Sequence, residues 1–383
     1  MPSPRSVAST DFDTHMMAIA LRLAQRGLGR AAPNPAVGAV IADEETGEVI
    51  ARGWTAPGGR PHAEPEAIAR AKGRAAGKTM YVTLEPCSHH GRTPPCAEAI
   101  VAAGLRRVVC GIEDPDARVA GRGLARLREA GIEVSRGVLP VEAHWMTAGH
   151  ILRVTERRPF IELKLALGPD GGVPRGADGA PAWVTGEAAR AQGHLMRARA
   201  DAILVGRQTV IDDVPMLTCR LPGLEVLSPL RVVLARRLQG LETSRLVRSA
   251  RDVPVWVVCG HAGDASALEA AGVRVFRTIE VGSRLWLPSV MEALVAQGMT
   301  RLLVEGGPIM WRAFSDAGLV DAATLFHAGA EGSPPLADDA AVAALARYVA
   351  VDALQLCDRR RAGGDDMIMF RRQWRRLQTH VTR

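Results

Sequence analysis

The chain has 383 residues, more than one hydrophobic core usually contains, so two domains are expected. Hydrophobic residues make up 47% and charged residues 23%, which excludes a disordered chain, a collagen-like repeat and a coiled coil. The net charge of +7 is spread along the chain, and the longest apolar runs stop well short of a membrane span. Neither a nucleic acid nor a membrane is therefore expected as a partner. No secretory signal is apparent, and a cytoplasmic protein is expected.

The first part of the chain alternates helix and strand patterns. Helical periodicity predicts helices at 13–25, 63–75, 97–103 and 123–130. Strand patterns lie at 37–42, 49–54, 80–84, 107–112 and 132–134. The first two strands are expected to form a hairpin. Because single helices separate the later strands, we expect a largely parallel sheet that is covered on both faces.

The alternation restarts at Phe160, after a polar segment that ends in Pro159, and this predicts domains at residues 1–152 and 158–383. The second part has strand patterns at 160–165, 202–205, 230–234, 253–258, 273–276 and 302–304, with helices at 186–199 and 289–297. Both parts are therefore expected to be α/β domains. The Gly/Pro-rich stretch 168–181 fits either a long active-site loop or a disordered lid.

Four residues of the first domain form a chemically complete zinc constellation. His62 begins a predicted helix, and Cys87 and Cys96 lie between the next strand and the next helix. One imidazole and two thiolates leave the fourth tetrahedral position open for water, as a catalytic zinc requires. Glu64 is then placed to move a proton from that water to a leaving amine. The pattern predicts hydrolytic deamination of an amino-substituted heterocycle; a surface His62–Glu64 pair beside two buried thiols is the alternative.

The two cysteines are separated by the segment SHHGRTPP at 88–95. This segment adds polar and cationic side chains beside the metal, which suit a phosphate group or the edge of a heterocycle. His89 and His90 are equally compatible with ordinary loop positions.

Longer motifs surround the proposed metal ligands. They read APNPAVG at 32–38, HAE at 62–64, TLEPCSHHGRTPPC at 83–96, and DP followed by VAGRG between 114 and 123. With these motifs the chain resembles the RibD family of riboflavin biosynthesis over almost its whole length. The resemblance implies a cytidine-deaminase-like α/β/α domain followed by a dihydrofolate-reductase-like α/β domain. It also implies zinc-dependent deamination of 2,5-diamino-6-(5-phosphoribosylamino)pyrimidin-4-one, then NADPH-dependent reduction of the ribosyl group to ribityl.

The same resemblance implies substrate contacts in the deaminase domain. Asn34 would contact the pyrimidine, and Arg92 would border the substrate together with His89 or His90. Asp116 departs from the asparagine that is usual in the family. The implied partner is a small phosphorylated pyrimidine, and we also expect a homo-oligomer.

The second domain contains no GxGxxG motif after a strand, so a Rossmann dinucleotide site has no support. Instead, the strand at 302–304 runs into two glycines and a helix, which presents free backbone N–H groups to an anion. The resemblance implies that the reductase substrate contacts Lys164, Pro181, Arg197, Leu217, Arg220 and Glu305. It implies that NADPH contacts Leu167, Asp170, Trp183, Thr209, Asp213, Arg236, Gly307, Pro308 and Ile309.

Several positions of the second domain depart from the family pattern. Gly168 and Pro169 replace Ser-Leu, Pro181 replaces a serine, and Ala235-Arg236 replace Asp-Ser. Because these changes remove hydroxyl or carboxylate groups, a second hypothesis is an active deaminase with a degenerate, structural reductase-like domain. A third hypothesis, a nucleic-acid-editing deaminase, is disfavoured because the charge is scattered and only 4% of residues are aromatic.

Overall fold

The computed structural model describes residues 11–91, 93–174, 184–329 and 332–373. The chain divides into two compact units, the first extending to Arg157 and the second beginning at Arg158. Each unit has its own sheet and its own hydrophobic core. Within the described ranges, no helix combines the length and the apolar character that crossing a membrane requires.

The first unit is a sheet between two layers of helices. Its helices are α1 (Asp11–Ala24), α2 (Ala63–Ala71), α3 (Cys96–Ala102), α4 (Arg122–Glu129) and α5 (Pro140–Thr155). Its strands are β1 (Gly38–Ala42), β2 (Val49–Trp54), β3 (Thr79–Leu84), β4 (Arg107–Ile112) and β5 (Glu133–Arg136). The strand order is β2-β1-β3-β4-β5.

The hairpin β1–β2 has the predicted antiparallel pairing, and β3, β4 and β5 are parallel to one another. The pair β1–β3 is antiparallel, so the description "largely parallel" is correct only for β3 to β5. Helix α5 lies outside every predicted element. Its buried face consists largely of small or polar residues, including Ala143, Thr147 and His150, so it lacks a clear apolar stripe.

Strand β3 shows why helices cover both faces of this sheet. All six of its residues are buried. Met80 and Val82 belong to the core that also contains Ala97 of α3, whereas Tyr81 belongs to the core that contains Met17 of α1. Because side chains alternate along a strand, a strand that is buried on both faces is apolar at nearly every position.

The second unit contains a longer sheet flanked by short helices. Its strands are β6 (Phe160–Leu167), β7 (Ala202–Gly206), β8 (Leu230–Ala235), β9 (Val255–Cys259), β10 (Arg274–Arg277), β11 (Glu280–Val281), β12 (Arg284–Leu285), β13 (Arg301–Val304), β14 (Ala322–His327), β15 (Leu354–Ala362) and β16 (Asp365–Arg372). Its helices are α6 (Glu187–Ala198), α7 (Arg207–Asp212), α8 (Arg245–Arg248), α9 (Ser266–Ala270), α10 (Leu287–Ala296), α11 (Pro308–Asp316) and α12 (Asp338–Ala346).

The main sheet of this unit has the order β10-β9-β8-β7-β13-β6-β14-β16-β15. In this spatial order, the first seven strands, from β10 at the edge to β14, pair in parallel with their neighbours. Strands β16 and β15 then add an antiparallel edge. Strands β14, β15 and β16 lie outside the predicted elements. Charged residues interrupt β15, which is half exposed at the sheet edge. The carboxyl ends of β6, β7, β13 and β14 lie at one edge of the sheet, where open α/β sheets bind their ligands.

Candidate functional sites

Three residues from separate segments of the first unit converge on one point. His62 immediately precedes α2, Cys87 follows β3, and Cys96 is the first residue of α3. Their possible ligand atoms all lie within 4.8 Å of one another. His62 Nδ1 is 3.3 Å from Cys96 Sγ and 3.7 Å from Cys87 Sγ. A histidine with two cysteines fits a zinc ion that keeps one coordination position open.

The surroundings of Cys87 favour its thiolate form. Hydrogen bonds from the Cys96 side chain and from His62 lower the pKa of Cys87 to about 4. The backbone N–H of Cys96 also donates to Cys87 Sγ at 3.3 Å, at the start of α3. Thiolates are the form of cysteine that binds metal, so this side chain is prepared for a cation.

Glu64 lies in the first turn of α2, and its side chain is buried beside the three converging residues. Burial raises the pKa of this carboxyl group to about 7, although the positive charge of His62 acts in the opposite direction. A carboxyl group with a pKa near neutrality can both accept and release a proton at physiological pH. Glu64 therefore has the properties of a general acid–base group.

Asn34 lies on the other side of the His62 ring. Its amide Nδ2 donates to the carbonyl oxygen of Gly59 at 2.9 Å and lies 3.2 Å from His62 Nε2. Gly59 has a positive φ of 83°, and a Cβ there would come within 2.7 Å of the Asn34 side chain. The glycine therefore allows the close approach that fixes Asn34 against the histidine.

The segment between the two cysteines places its histidines differently. His90 is largely exposed and its Nε2 lies 3.1 Å from Glu98, whereas His89 lines a cavity together with Ser88 and α4. Arg92 lies outside the described residues. Of these predicted substrate contacts, the structure places Asn34 directly beside a proposed metal ligand.

Glu85 is a buried residue of this site that the sequence analysis does not identify. Its carboxylate accepts hydrogen bonds from the backbone N–H groups of Gly121 and Gly123, each at 2.9 Å. A Cβ at Gly123 would lie 2.0 Å from the carbonyl oxygen of Pro86, so only glycine allows this contact. Glu85 thereby holds the start of α4 against the segment that carries Cys87. The sequence signal that could have identified Glu85 is a glutamate that directly follows an apolar strand and precedes Pro86 and Cys87.

Asp116, the residue that departs from the family pattern, has a local partner. The Arg118 guanidinium donates to its carboxylate, with Nη2 and Oδ2 2.5 Å apart. Hydrogen bonds from the Arg118 side chain lower the pKa of Asp116 to about 2. The extra negative charge at this position is therefore compensated within two residues.

In the second unit, Glu305 follows β13 and pairs with Arg197 of α6. Arg197 Nε and Nη2 donate to the two carboxylate oxygens at 2.7 and 2.8 Å, and Nη1 donates to the Thr218 carbonyl at 3.1 Å. Burial alone would raise the pKa of Glu305, but Arg197 and Lys164 outweigh it and hold the pKa at about 2. Arg197, predicted to contact the reductase substrate, is here bound to Glu305.

This ion pair predicts a pH dependence of stability. The pKa of Glu305 is lowered from its ordinary value of 4.5 to about 2, so the pair stabilises the folded state fully above pH 4.5. The contribution is lost as the pH falls towards the folded-state pKa. In urea unfolding across this range, the midpoint of the wild type is expected to fall more steeply than that of Glu305→Gln. Parallel curves would contradict the ionised pair.

The remaining reductase predictions fall into three groups. Leu167 and Leu217 have side chains buried in the core, so any contact of these two residues with cofactor or substrate would be through the backbone, and both stay predictions. Lys164, Asp170, Thr209, Asp213, Arg220, Arg236, Gly307, Pro308 and Ile309 are described residues with partly or fully accessible side chains or, for glycine, backbone. Pro181 and Trp183 lie outside the described residues.

The start of α11 is the place where the sequence predicts an anion-binding turn. Gly307 precedes the helix, Pro308 is its first residue, and Ile309 is 86% exposed. Pro308 has no N–H, and the N–H groups of Met310 and Trp311 donate to the Gly307 carbonyl at 2.9 and 3.2 Å. The groups that face an anion here are therefore the Ile309 N–H and the positive end of the helix dipole. This backbone fits a phosphate or carboxamide group of a nicotinamide nucleotide.

Arg231 of β8 is a fully buried cation that the sequence analysis does not identify. Its guanidinium donates to the carbonyl oxygens of Met216, Ser249 and Val253 and to the hydroxyl of Ser249. The contact with Met216 holds the segment that leads to the predicted substrate residues Leu217 and Arg220. An arginine in an apolar strand was the only sequence signal.

Replacement of Arg231 by methionine is expected to lower the free energy of unfolding by about 3 kcal/mol, because buried carbonyl groups lose their donors. Arg231→Lys is expected to recover little of this loss, since an ammonium group lacks the planar five-donor geometry. The exposed Arg245 of α8 provides the control Arg245→Met. Urea unfolding measures the effect, and equal midpoints for the Arg231 and Arg245 variants would contradict it.

The first unit thus has the fold and the histidine and cysteine ligands of a zinc-dependent deaminase. The second unit is an α/β domain in which the start of α11 suits a nucleotide. Residues 10–112 match the cytidine and deoxycytidylate deaminase zinc-binding region, and residues 159–352 match the RibD C-terminal domain. The riboflavin biosynthesis protein RibD of Escherichia coli is 39% identical over 320 residues, covering 81% of this chain and 85% of that protein. That of Aquifex aeolicus is 37% identical, covering 83% and 87%.

Two solved structures agree with these sequence matches. The deaminase/reductase of Thermotoga maritima is 31% identical, with a TM-score of 0.77 over 94% of this chain and 99% of that one. RibD of Acinetobacter baumannii is 31% identical, with a TM-score of 0.78 over 95% and 99%. The chain belongs to the RibD family, the bifunctional deaminase and reductase enzymes of riboflavin biosynthesis. The α/β fold class and the cofactors zinc and NADPH inferred from the resemblance are thereby confirmed.

Proposed function

We propose that residues 1–152 deaminate 2,5-diamino-6-(5-phosphoribosylamino)pyrimidin-4-one and that residues 158–383 reduce the ribosyl group of the product with NADPH. The observation that carries the proposal is the convergence of His62, Cys87 and Cys96 beside the buried Glu64. It is supported by the similar Thermotoga maritima protein, which is a deaminase of this pyrimidine class and a reductase of its deaminated product.

In the deaminase domain, His62, Cys87 and Cys96 are the residues that would hold zinc. When bound, zinc would lower the pKa of a coordinated water molecule and so supply the nucleophile. Glu64 accepts a proton at its buried carboxylate and returns it to the leaving amine, for which a pKa of about 7 is suitable. Asn34, fixed by Gly59, orients the heterocycle next to His62.

In the reductase domain, the turn at Gly307, Pro308 and Ile309 would hold NADPH, which supplies the hydride. Lys164 is partly buried in the electrostatic field of Glu305 and Arg197, and desolvation lowers its pKa. We assign it to hydrogen-bond the ribose oxygen that gains a proton. We assign Arg220 to the sugar phosphate of the substrate. Arg197 could bind the same phosphate only after the substrate had displaced it from Glu305.

The proposal includes a cytoplasmic location, a homo-oligomer and no nucleic-acid partner. All six cysteines are free, and thiolate zinc ligands persist best in a reducing compartment. Analytical ultracentrifugation tests the oligomer, and RNA binding measured at increasing salt tests the absence of a nucleic-acid partner.

The reaction order provides the functional test. Zinc-loaded protein is expected to release ammonia from the phosphoribosylamino-pyrimidinone without NADPH, and to oxidise NADPH only when the deaminated product is present. Ammonia release without any NADPH oxidation would instead support the degenerate reductase-like domain, which the changes at Gly168, Pro169 and Ala235 motivate. No ammonia release from zinc-loaded protein would contradict the deaminase assignment.

A further inference from the structure

The turn that follows β6 is rich in glycine and contains Asp170, a predicted NADPH contact. It spans residues 168–172, and three of these five residues are glycine. The Gly168 N–H donates to the Gly172 carbonyl at 2.8 Å, and the Gly172 N–H donates to the Asp170 carboxylate at 2.9 Å. Because glycine leaves the backbone more conformational freedom than any other residue, such a turn needs contacts from other elements to keep one conformation.

Two consecutive residues at the end of α12 supply such contacts. Arg347 Nη1 donates to the carbonyl oxygen of Asp170 at 2.9 Å. The Tyr348 hydroxyl donates to the carbonyl oxygen of Gly171 at 3.3 Å. A Cβ at Gly171 would lie 3.1 Å from Arg347 Nη1, so the guanidinium group packs closely against the turn. The backbone N–H of Tyr348 donates to the Leu345 carbonyl at 2.9 Å, which ties these side chains to the helix.

Tyr348 also contacts the second segment for which a cofactor role is predicted. Its ring packs edge-on against the ring of Trp311 in α11, with the ring centroids 5.4 Å apart and the ring planes at 76°. Trp311 is buried and lies one helical turn after Pro308, in the helix whose start forms the predicted nucleotide turn. One side chain therefore joins the turn after β6 to the helix that follows β13.

We propose that Tyr348 and Arg347 are positioning residues of the reductase, which hold the turn at 168–172 in a fixed place relative to the start of α11. Both segments can then meet the same NADPH molecule. The proposal rests on the proposed function, because both segments are predicted NADPH contacts. A turn that is already ordered binds the cofactor without losing further conformational freedom. The effect is therefore expected in the affinity for NADPH and not in the hydride-transfer step.

Tyr348→Phe and Arg347→Met test the two contacts separately. Tyr348→Phe keeps the ring against Trp311 and removes the hydroxyl, whereas Arg347→Met keeps an apolar stem and removes the donors. Each is expected to raise the dissociation constant of NADPH, measured by fluorescence titration, about 2- to 10-fold, as the loss of one hydrogen bond implies. Reductase kcat at saturating NADPH is expected to stay unchanged, and so is deaminase turnover. Arg347→Lys, which restores a donor, is expected to recover part of the affinity.

Arg360→Met is the matched control, because Arg360 is an exposed arginine of β15 whose guanidinium pairs with the nearby Asp358. It is expected to keep the wild-type affinity for NADPH. Amide hydrogen exchange without cofactor gives a second reading. Peptides that cover residues 168–172 are expected to exchange faster in Tyr348→Phe and in Arg347→Met than in the wild type, while the rest of the second unit and the control stay unchanged.

Two results would overturn the positioning role alone. One is an unchanged NADPH affinity in both variants while the wild type binds NADPH, even if the turn exchanges faster. The other is a loss of affinity accompanied by faster exchange throughout the second unit, which would show general destabilisation. Wild-type protein that binds no NADPH would instead overturn the proposed reductase function together with this inference.

Discussion

Glu64→Gln is expected to lower the turnover of deamination by about 10²- to 10⁴-fold, the contribution typical of a positioned acid–base group. The substitution preserves the size and burial of the side chain, so the helix start and the neighbouring His62 remain in place. It removes the site that accepts and returns the proton. Ammonia release measures the turnover, and metal analysis of the same samples is expected to show unchanged zinc.

Glu66→Gln is the matched control for this substitution. Glu66 belongs to the same turn of α2, and its carboxylate pairs with Arg70. The control is expected to retain wild-type turnover within a few-fold, because a surface ion pair contributes little. Near-normal ammonia release by Glu64→Gln would contradict the acid–base role, and loss of zinc would show that Glu64 instead maintains the metal site.

Cys96→Ala is expected to lose zinc and deaminase activity while the reductase domain continues to oxidise NADPH with the deaminated product. Cys96 supplies one of the three converging ligands, and its backbone N–H and side chain also stabilise the Cys87 thiolate. Because outer-shell changes alone cost about 10- to 100-fold in metal affinity, loss of a direct ligand is expected to exceed about 100-fold. Zinc content after dialysis and the two separate activities are measured together.

Cys110→Ala provides the control for this second prediction. Cys110 is also a buried cysteine of the first unit, but it lies on β4 and donates to the Ile112 carbonyl. It is expected to keep stoichiometric zinc and deaminase activity, with at most a modest loss of stability from the lost sulfur atom. Full zinc retention by Cys96→Ala, or equal zinc loss by both variants, would contradict the ligand assignment.

The metal centre could be predicted from sequence because its residues occur in short, ordered motifs. His62 and Glu64 are two positions apart, and Cys87 and Cys96 lie within one motif. His62 and Glu64 lie where α2 begins, and Cys87 and Cys96 bound the segment between β3 and α3, so local pattern alone indicates which side chains share an end of the sheet. The strands β2 and β4, of six residues each, were likewise predictable, because their patterns are bounded by turn residues.

Other features depend on contacts that no local pattern encodes. The pairing of Arg197 with Glu305 joins residues far apart in sequence, so the sequence predicted both residues but not their mutual contact. Arg231 is buried because backbone carbonyls surround it, and no motif records backbone acceptors. Leu167 is predicted from the resemblance to contact the cofactor, and the burial of its side chain at the end of β6, which the sequence did not reveal, leaves the backbone for that contact.

The roles of the few lysines also could not be predicted from the sequence. The chain has only three lysines, Lys72, Lys78 and Lys164, which suggests that each is retained for a specific purpose. Lys78 instead forms an ion pair with Asp43, and Lys72 lies at the end of α2. Of the three, Lys164 is the one that lies partly buried near Glu305 and Arg197 of the second unit. The composition therefore drew attention to three lysines, and the structure shows that they have different surroundings.

One chain is expected to carry out hydrolytic deamination and then hydride transfer on the same substrate. Mass spectrometry of the product formed in oxygen-labelled water with deuterated NADPH tests both steps at once. The expected product carries one labelled oxygen on the pyrimidine ring and one deuterium on the ribityl chain, with the oxygen label alone when NADPH is omitted. A product with deuterium but no labelled oxygen, or a substrate that remains unchanged, would contradict it.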